Sequence, residues 1–356
     1  MNTKKIIITG SSGLIGSSCV EYYCKKNFSV VGIDNNMRAK FFGADGSTIN
    51  SKKNLEKKYT NYDHFETDIR SKEEIFKIFE ELSPDAIIHC AAQPSHDLAA
   101  QIPFDDFTVN ANGTLNLLEA TRIFCINSPF IFLSTNKVYG DKPNYLNLEE
   151  KEFRWDFEDK EYLNGINENL GVDQTKHSLF GCSKLSADVI VQEYGRYFDM
   201  KTVCLRGGCL TGSNHSGVEY HGFLSYLVKC FVYNKNYNVF GFKGKQVRDN
   251  IDASDVANFT EYFINSPRSA EVYNIGGGKE NSISILEAIN YLEEKYKKKM
   301  QWNYIDENRI GDHICYYSDL TKIKEHYPKW NVNHSLDVII DSIYESWSKK
   351  KKIDQI

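Results

Sequence analysis

The chain has 356 residues, 41% of them apolar and 26% charged, with a formal net charge of −5. These values fit a globular protein with a large core and two associated lobes, and they exclude the basic footprint of a nucleic-acid binder. No apolar run is long enough to span a bilayer and MNTKKIIITG enters a strand pattern directly, so a cytoplasmic protein with no membrane partner is expected. The nine cysteines form no C-x-x-C pair and no zinc-like spacing with histidine, which predicts a reduced chain with no metal. The lysines at 348–352 read as a solvated tail.

In chain order, KIIIT (5–9), FSVVGI (28–33), AIIHC (86–90), FIFLS (130–134) and TVCLR (202–206) read as buried parallel strands. Between them, 15–26, 71–83, 107–124 and 183–198 carry apolar residues at helical spacing with charge on the other face. Strand–helix alternation of this kind predicts an α/β chain: a doubly wound parallel sheet over 1–205 and a smaller, Gly- and aromatic-rich lobe over 206–356. Residues 248–280, beginning with RDNIDASDVA, are expected to return to the main sheet. Polar insertions at 35–61 and 141–176 interrupt the alternation, and long insertions in compact domains tend to be functional loops.

TGSSGLIGS (9–17) follows the first strand and opens the first helix. Gly10, Gly13 and Gly16 allow a tight turn, close approach to a pyrophosphate and close helix packing, while the helix start at Leu14 and Ile15 offers N–H donors. Asp34 closes the second strand, where a carboxylate binds both ribose hydroxyls. Together these predict a Rossmann-type dinucleotide site, with Asn35 beside it. Asp34 favours NAD over NADP by charge, whereas Arg38 just beyond could hold a 2′-phosphate.

The Gly-x-x-Gly-x-x-Gly spacing resembles the extended short-chain dehydrogenase/reductase superfamily, whose members modify nucleotide-bound sugars. Asp68 and Ile69 look like the pair that contacts adenine. CAAQPSH (90–96) looks like the segment lying along the cofactor, which implies cofactor roles for Ala91, Ala92 and Gln93 and substrate roles for Ser95 and His96. Asn110, followed by Gly113 and Thr114, matches the central-helix signature, and Lys184 matches the family lysine. In LSTNKVYGD (133–141) the resemblance implies a hydroxyl reaching the sugar, Thr135 fitting best and Ser134 second, with Asn136 and Lys137 toward substrate. It also implies that Asn214 and His215 wrap the sugar diphosphate and that Arg248 and Arg309 bind its phosphates. His215 and His221 lack carboxylate or cysteine partners at ligand spacing, so no metal is expected. STNKVYGD, HSLFGCSK and GKQVRD are most similar to the CDP-sugar 2-epimerases. The implied partner is a nucleotide sugar, a CDP-linked deoxyhexose. The helices at 107–124 and 183–198 imply a homodimer or homotetramer, helped by Val189, Ile190 and Tyr194.

Inverting a hydroxyl-bearing carbon that has no acidic C–H requires transient oxidation, a base for the hydroxyl proton and return of hydride to the other face. In the family a tyrosine four residues before the lysine moves the proton, its pKa lowered by that lysine. Here that position is Phe180, which has no proton to exchange. Three explanations stand: a substitution introduced to trap a complex; transfer by His177, Cys182, Tyr139 or a water held by Thr135; or a site that binds without turnover. Helical spacing puts Lys184 on the face of Phe180 and Cys182 nearly opposite. The same spacing puts His177 one turn earlier on that face.

Overall fold

In the computed structural model, residues 4–354 are described, except 216, 220, 221 and 310. The first five strands are β1 (Lys5–Thr9), β2 (Ser29–Ile33), β3 (Tyr62–Phe65), β4 (Ala86–His89) and β5 (Phe130–Thr135). They pair in parallel, β1 lying between β2 and β4. Thr202–Gly207 and then Glu271–Ile275 extend the sheet beyond β5, giving seven strands. The order runs outward from β1 in both directions, which leaves a switch point at the carboxyl ends of β1 and β4.

The helices are α1 (Leu14–Lys25), α2 (Met37–Phe42), α3 (Ile49–Lys58), α4 (Lys72–Leu82), α5 (His96–Ala99), α6 (Pro103–Phe107), α7 (Gly113–Phe124) and α8 (Leu179–Phe198). A π turn at Thr108–Asn112 joins α6 to α7. Apolar side chains of the strands, α4, α7 and α8, such as Ile7, Phe79, Leu117, Phe132 and Val191, form one buried core. That core is what amphipathic helices on a buried sheet should make.

The chain forms two compact units. One comprises 1–138, 178–206 and 256–273; the other comprises 139–177, 207–255 and 274–356. The insertion at 139–177, read with the first lobe from sequence, thus belongs to the second unit. The return to the main sheet is made by Glu271–Ile275. Val247–Asp252, expected there, instead pairs with Cys209–Thr211, Ser282–Ser284 and Cys315–Tyr316. The second unit has its own core, where helices Phe223–Tyr233, Ile285–Tyr296 and Leu336–Asp354 bury Leu227, Phe231, Leu292 and Ile343. Among the described residues no helix is long and apolar enough to cross a membrane.

Candidate active site

The glycine loop is built for contact. Gly10 sits at φ +63°, and a Cβ there would lie 2.7 Å from the Ala91 nitrogen. A Cβ on Gly16 would lie 2.0 Å from the Gly10 carbonyl oxygen, so α1 can start this close to the loop only with glycine there. Gly13 caps α1 without a side-chain bond, and the first turn holds no acidic residue. The N–H groups around Leu14 and Ile15 are therefore left for an anion.

Asp34 bridges two backbones, taking Ser12 N–H on Oδ2 (3.1 Å) and Asn36 N–H on Oδ1 (2.8 Å). A carboxylate oxygen accepts more than one bond, so lone pairs stay available for a ribose diol. Asn35 Oδ1 takes the Met37 N–H at 3.1 Å. The Arg38 guanidinium lies over the Phe42 ring, 4.9 Å from its centroid, and burial lowers its pKa. Burial pushes the Asp68 carboxyl up, but Arg70 outweighs it with a two-pronged contact of 3.0 and 2.8 Å, so its pKa ends below the ordinary value. Ile69 is buried, and a Cβ on Gly113 would come within 2.6 Å of it.

Behind the segment at 90–96 lies a chain of buried polar groups that sequence reading missed. Thr114 donates to the Asn110 carbonyl (2.6 Å), so its oxygen accepts from His89 Nε2 (2.9 Å). His89 Nδ1 then takes the Thr9 hydroxyl proton (2.7 Å), and Thr9 Oγ1 accepts the Ala91 N–H (3.2 Å). Burial, and then the charge of Lys184, hold the His89 pKa well below its ordinary value, so the ring is neutral with its proton on Nε2. The only signal for it was a histidine in an otherwise apolar strand.

Asn110 and Gln93 are occupied with each other. Gln93 N–H donates to Asn110 Oδ1 (2.9 Å), and both amides reach Asp106 Oδ1, from 2.7 Å for Gln93 and 3.2 Å for Asn110. Asn110 also donates to Ser183 Oγ of α8 at 3.0 Å. Ser95 caps α5 through Leu98 N–H, and His96 Nδ1 pairs with Asp97 at 2.9 Å. Ala91 and Ala92 are half-buried. This network fixes the strand-end segment rather than leaving its amides open to a ligand.

On β5, neighbouring hydroxyls part company, as alternation on a strand requires. Ser134 donates to Asp188 Oδ2 at 2.6 Å, and Asp188 is also held by Arg206 at 2.8 Å. Ser134 is thus committed to a buried ion pair, while Thr135 Oγ1 accepts Lys137 N–H (3.2 Å) and donates weakly to Asn136 (3.4 Å). Helix α8 begins at Leu179 behind Ser178, whose side chain accepts the Gly181 N–H. His177 therefore precedes the helix and shares no face with Phe180, contrary to the helical spacing assumed from sequence. Its Nδ1 lies 3.1 Å from the Thr175 carbonyl oxygen. Phe180 and Lys184 are both buried, and Cys182 is exposed. The Lys184 ammonium donates to the Leu133 carbonyl (2.7 Å) and lies 4.1 Å above the Phe132 ring. Burial brings its pKa down to about 8 against the pull of Asp188.

In the second unit, Arg248 donates to its neighbour's carbonyl, that of Val247 (2.7 Å), and pairs with Asp312 at 3.4 Å. Arg309 is half-exposed and close enough to Tyr237 to act on its pKa. Asn214 is exposed in a turn, whereas His215 is buried with Nδ1 3.4 Å from Thr211 Oγ1. His221 lies outside the described residues. Tyr139 is fully buried and donates to Asn274 Oδ1 at 2.8 Å.

With this geometry in place, a family model described as the NAD-dependent epimerase/dehydratase family matches residues 6–276. The chain belongs to that family. Like the other members it takes NAD, and the glycine loop, the open first turn of α1 and Asp34 fit that cofactor. Two curated relatives are similar to it over most of their length. The CDP-paratose 2-epimerase of Salmonella typhi is 32% identical, with 90% of this chain and 92% of that one covered. The dTDP-glucose 4,6-dehydratase of Salmonella typhimurium is 29% identical, covering 78% and 73%. The UDP-glucuronic acid 4-epimerase of Bacillus cereus, solved with UDP-glucuronic acid and NAD, shares the fold with a TM-score of 0.77, 23% identity and coverage of 97% and 99%.

Proposed function

We propose that the chain is an epimerase of a nucleotide-linked sugar, inverting C2 of a CDP-deoxyhexose in the manner of a CDP-paratose 2-epimerase. The observation that carries this reading is the 32% identity to that enzyme over nine-tenths of both chains. NAD, when bound, would supply reversible hydride transfer at the sugar carbon. Asp34 and the start of α1 hold the dinucleotide's ribose and pyrophosphate. Lys184 orients its other ribose, and Thr135 holds the sugar hydroxyl that must lose and regain a proton. Arg248 and Arg309 neutralise the substrate diphosphate.

Phe180 cannot carry the proton. His177 lies outside α8 and Cys182 is exposed on the far side of the helix. We therefore assign the transfer to solvent held at Thr135, with Lys184, titrating at about 8, as the group that sets its direction. Phe180 also favours a second reading, a nucleotide-sugar-binding protein with impaired turnover.

Incubation with CDP-paratose, followed by nuclear magnetic resonance, separates the two. Inversion at C2 supports the epimerase. Tight binding without inversion supports the binder. Conversion of UDP-glucose or dTDP-glucose in its place would move the assignment to a 4-epimerase or a 4,6-dehydratase.

A further inference from the structure

Tyr62 and His64 lie two residues apart on β3 and so share one face of that strand. The Tyr62 hydroxyl donates to Ser11 Oγ at 3.0 Å, and Ser11 belongs to the glycine loop. With Tyr62 donating to Ser11, its oxygen accepts from His64 Nδ1, also 3.0 Å away; with Ser11 donating instead, Tyr62 gives its proton to Nδ1 of the neutral ring. The other ring nitrogen, Nε2, is 3.1 Å from the carbonyl oxygen of Asp34, to which it can only donate. In the first arrangement both ring nitrogens of His64 donate, which requires the imidazolium; in the second only Nε2 donates and the ring is neutral.

The surrounding residues are shaped around this contact. A Cβ on Gly32 would fall 2.3 Å from the Tyr62 hydroxyl and 2.4 Å from Ser11 Oγ, so glycine at 32 makes the bond possible. Ser12 N–H reaches the Asp34 carboxylate at 3.1 Å, which closes a circuit from loop to strand end and back through β3. The circuit joins the two elements that hold the pyrophosphate and the ribose.

The charge balance at His64 is divided. Burial, and then Lys52 of α3, lower its pKa, whereas the Asp34 backbone and charge and Glu56 of α3 raise it, with a net fall. Lys52 itself pairs with Glu66 at 3.3 Å. The Tyr62 hydroxyl is pushed upward, chiefly by burial, and keeps its proton. Once His64 is neutral it has one N–H. Keeping the Asp34 bond then obliges Nδ1 to accept, so Tyr62 turns its proton from Ser11 to the ring and Ser11 donates in its place. A dinucleotide's two phosphates at the loop favour the cation behind it.

We propose that His64 is a positioning residue for the dinucleotide: its protonated ring holds the glycine loop and the end of β2 in one bonded frame, and NAD binding draws a proton onto it. The proton comes from solvent, and no covalent bond changes.

The test is a pH titration of histidine-labelled protein by nuclear magnetic resonance, with and without NAD, using His64→Gln to identify the signal. The His64 midpoint should rise by roughly half to one pH unit on NAD binding, equivalent by linkage to a three- to tenfold fall in NAD affinity as the pH passes through it. Calorimetry in two buffers of different ionisation enthalpy should register the same proton uptake. Uptake should vanish in His64→Gln and shrink in Tyr62→Phe. A midpoint unmoved by NAD that demonstrably binds overturns the inference and leaves the dinucleotide site intact. Absence of any NAD-dependent change at the glycine loop overturns both.

Discussion

Ser134 gives its hydroxyl proton to Asp188 across 2.6 Å, and Asp188 is itself clamped by Arg206. Three side chains on β5, α8 and Thr202–Gly207 are thereby joined beneath the sheet surface, and one of the two candidate sugar-binding hydroxyls is withdrawn into the core. Ser134→Ala should cost about 1.5–3 kcal/mol of stability, the range for a hydrogen bond to a charged group, and should leave NAD affinity unchanged. Denaturant unfolding and a binding titration read the two quantities separately.

Phe180 and Lys184 share the buried face of α8 one turn apart. Phe180→Tyr should raise turnover by roughly 10²–10⁴-fold, the usual contribution of a placed acid/base group. The native protein's rate should instead rise with pH to a midpoint near 8, as Lys184 loses its proton. Lys184→Met should remove that limb and most of the rate. An unaltered rate in Phe180→Tyr, coupled with a large loss in His177→Ala, would return the proton to His177.

Asp34 is held in place by Ser12 and Asn36 with lone pairs to spare. Asp34→Ala should weaken NAD binding by about 1–3 kcal/mol. The native protein should prefer NAD to NADP, because the carboxylate meets a 2′-phosphate with like charge. A titration showing the reverse preference would hand the site to Arg38.

Outward-facing apolar groups gather on α6 and α8, with Phe104 86% exposed, Val189 47% and Leu179 48%. A shallow apolar groove along α8 is lined by Leu185, Val189 and Ile190. Tyr194, read from sequence as part of that surface, is half-buried and donates to Glu119 of α7 at 2.8 Å. We propose that this face pairs two copies of the chain. Light scattering should give a dimer or larger at micromolar concentration, and Val189→Glu should dissociate it.

Asp249 is fully buried in the second unit, and desolvation lifts its carboxyl to about 6 although the Ser318 and Gly278 N–H groups bond it. A folded-state value above the unfolded one means that folding binds a proton, so this group's contribution falls as pH rises from about 4 to about 6. Asp249→Asn keeps an acceptor for both N–H groups and carries no charge. It should raise stability at neutral pH by roughly 1–3 kcal/mol and remove that portion of the pH dependence, as thermal unfolding at several pH values would reveal.

What sequence made visible was set by how much each element needs apolar residues. β1, β2, β4 and β5 are buried on both faces and spell it out, whereas β3, Tyr-Asp-His-Phe at the sheet edge, has no apolar run and went unseen. The glycine loop and Asp34 were legible because phosphate and ribose contact restrict residue type. The start of α8 was not, since Ser178 at φ 51° ends the preceding chain by backbone conformation rather than by composition. Alternation along β5 separates Ser134 from Thr135 but cannot say which one faces inward; that depends on Asp188, 54 residues away. Sequence could not see the His89 and His64 networks for the same reason, since their partners come from other strands and helices.

The seven-stranded sheet is finished late. Thr202–Gly207 lies beside β5, but its outer neighbour, Glu271–Ile275, is encoded only after much of the second unit. During synthesis the edge of Thr202–Gly207 stays open while that unit emerges, an uncapped row of N–H and C=O groups able to pair with another chain. Contacts so distant in sequence also slow closure. Shortening the chain before residue 275 should therefore yield aggregation during expression rather than a smaller folded protein.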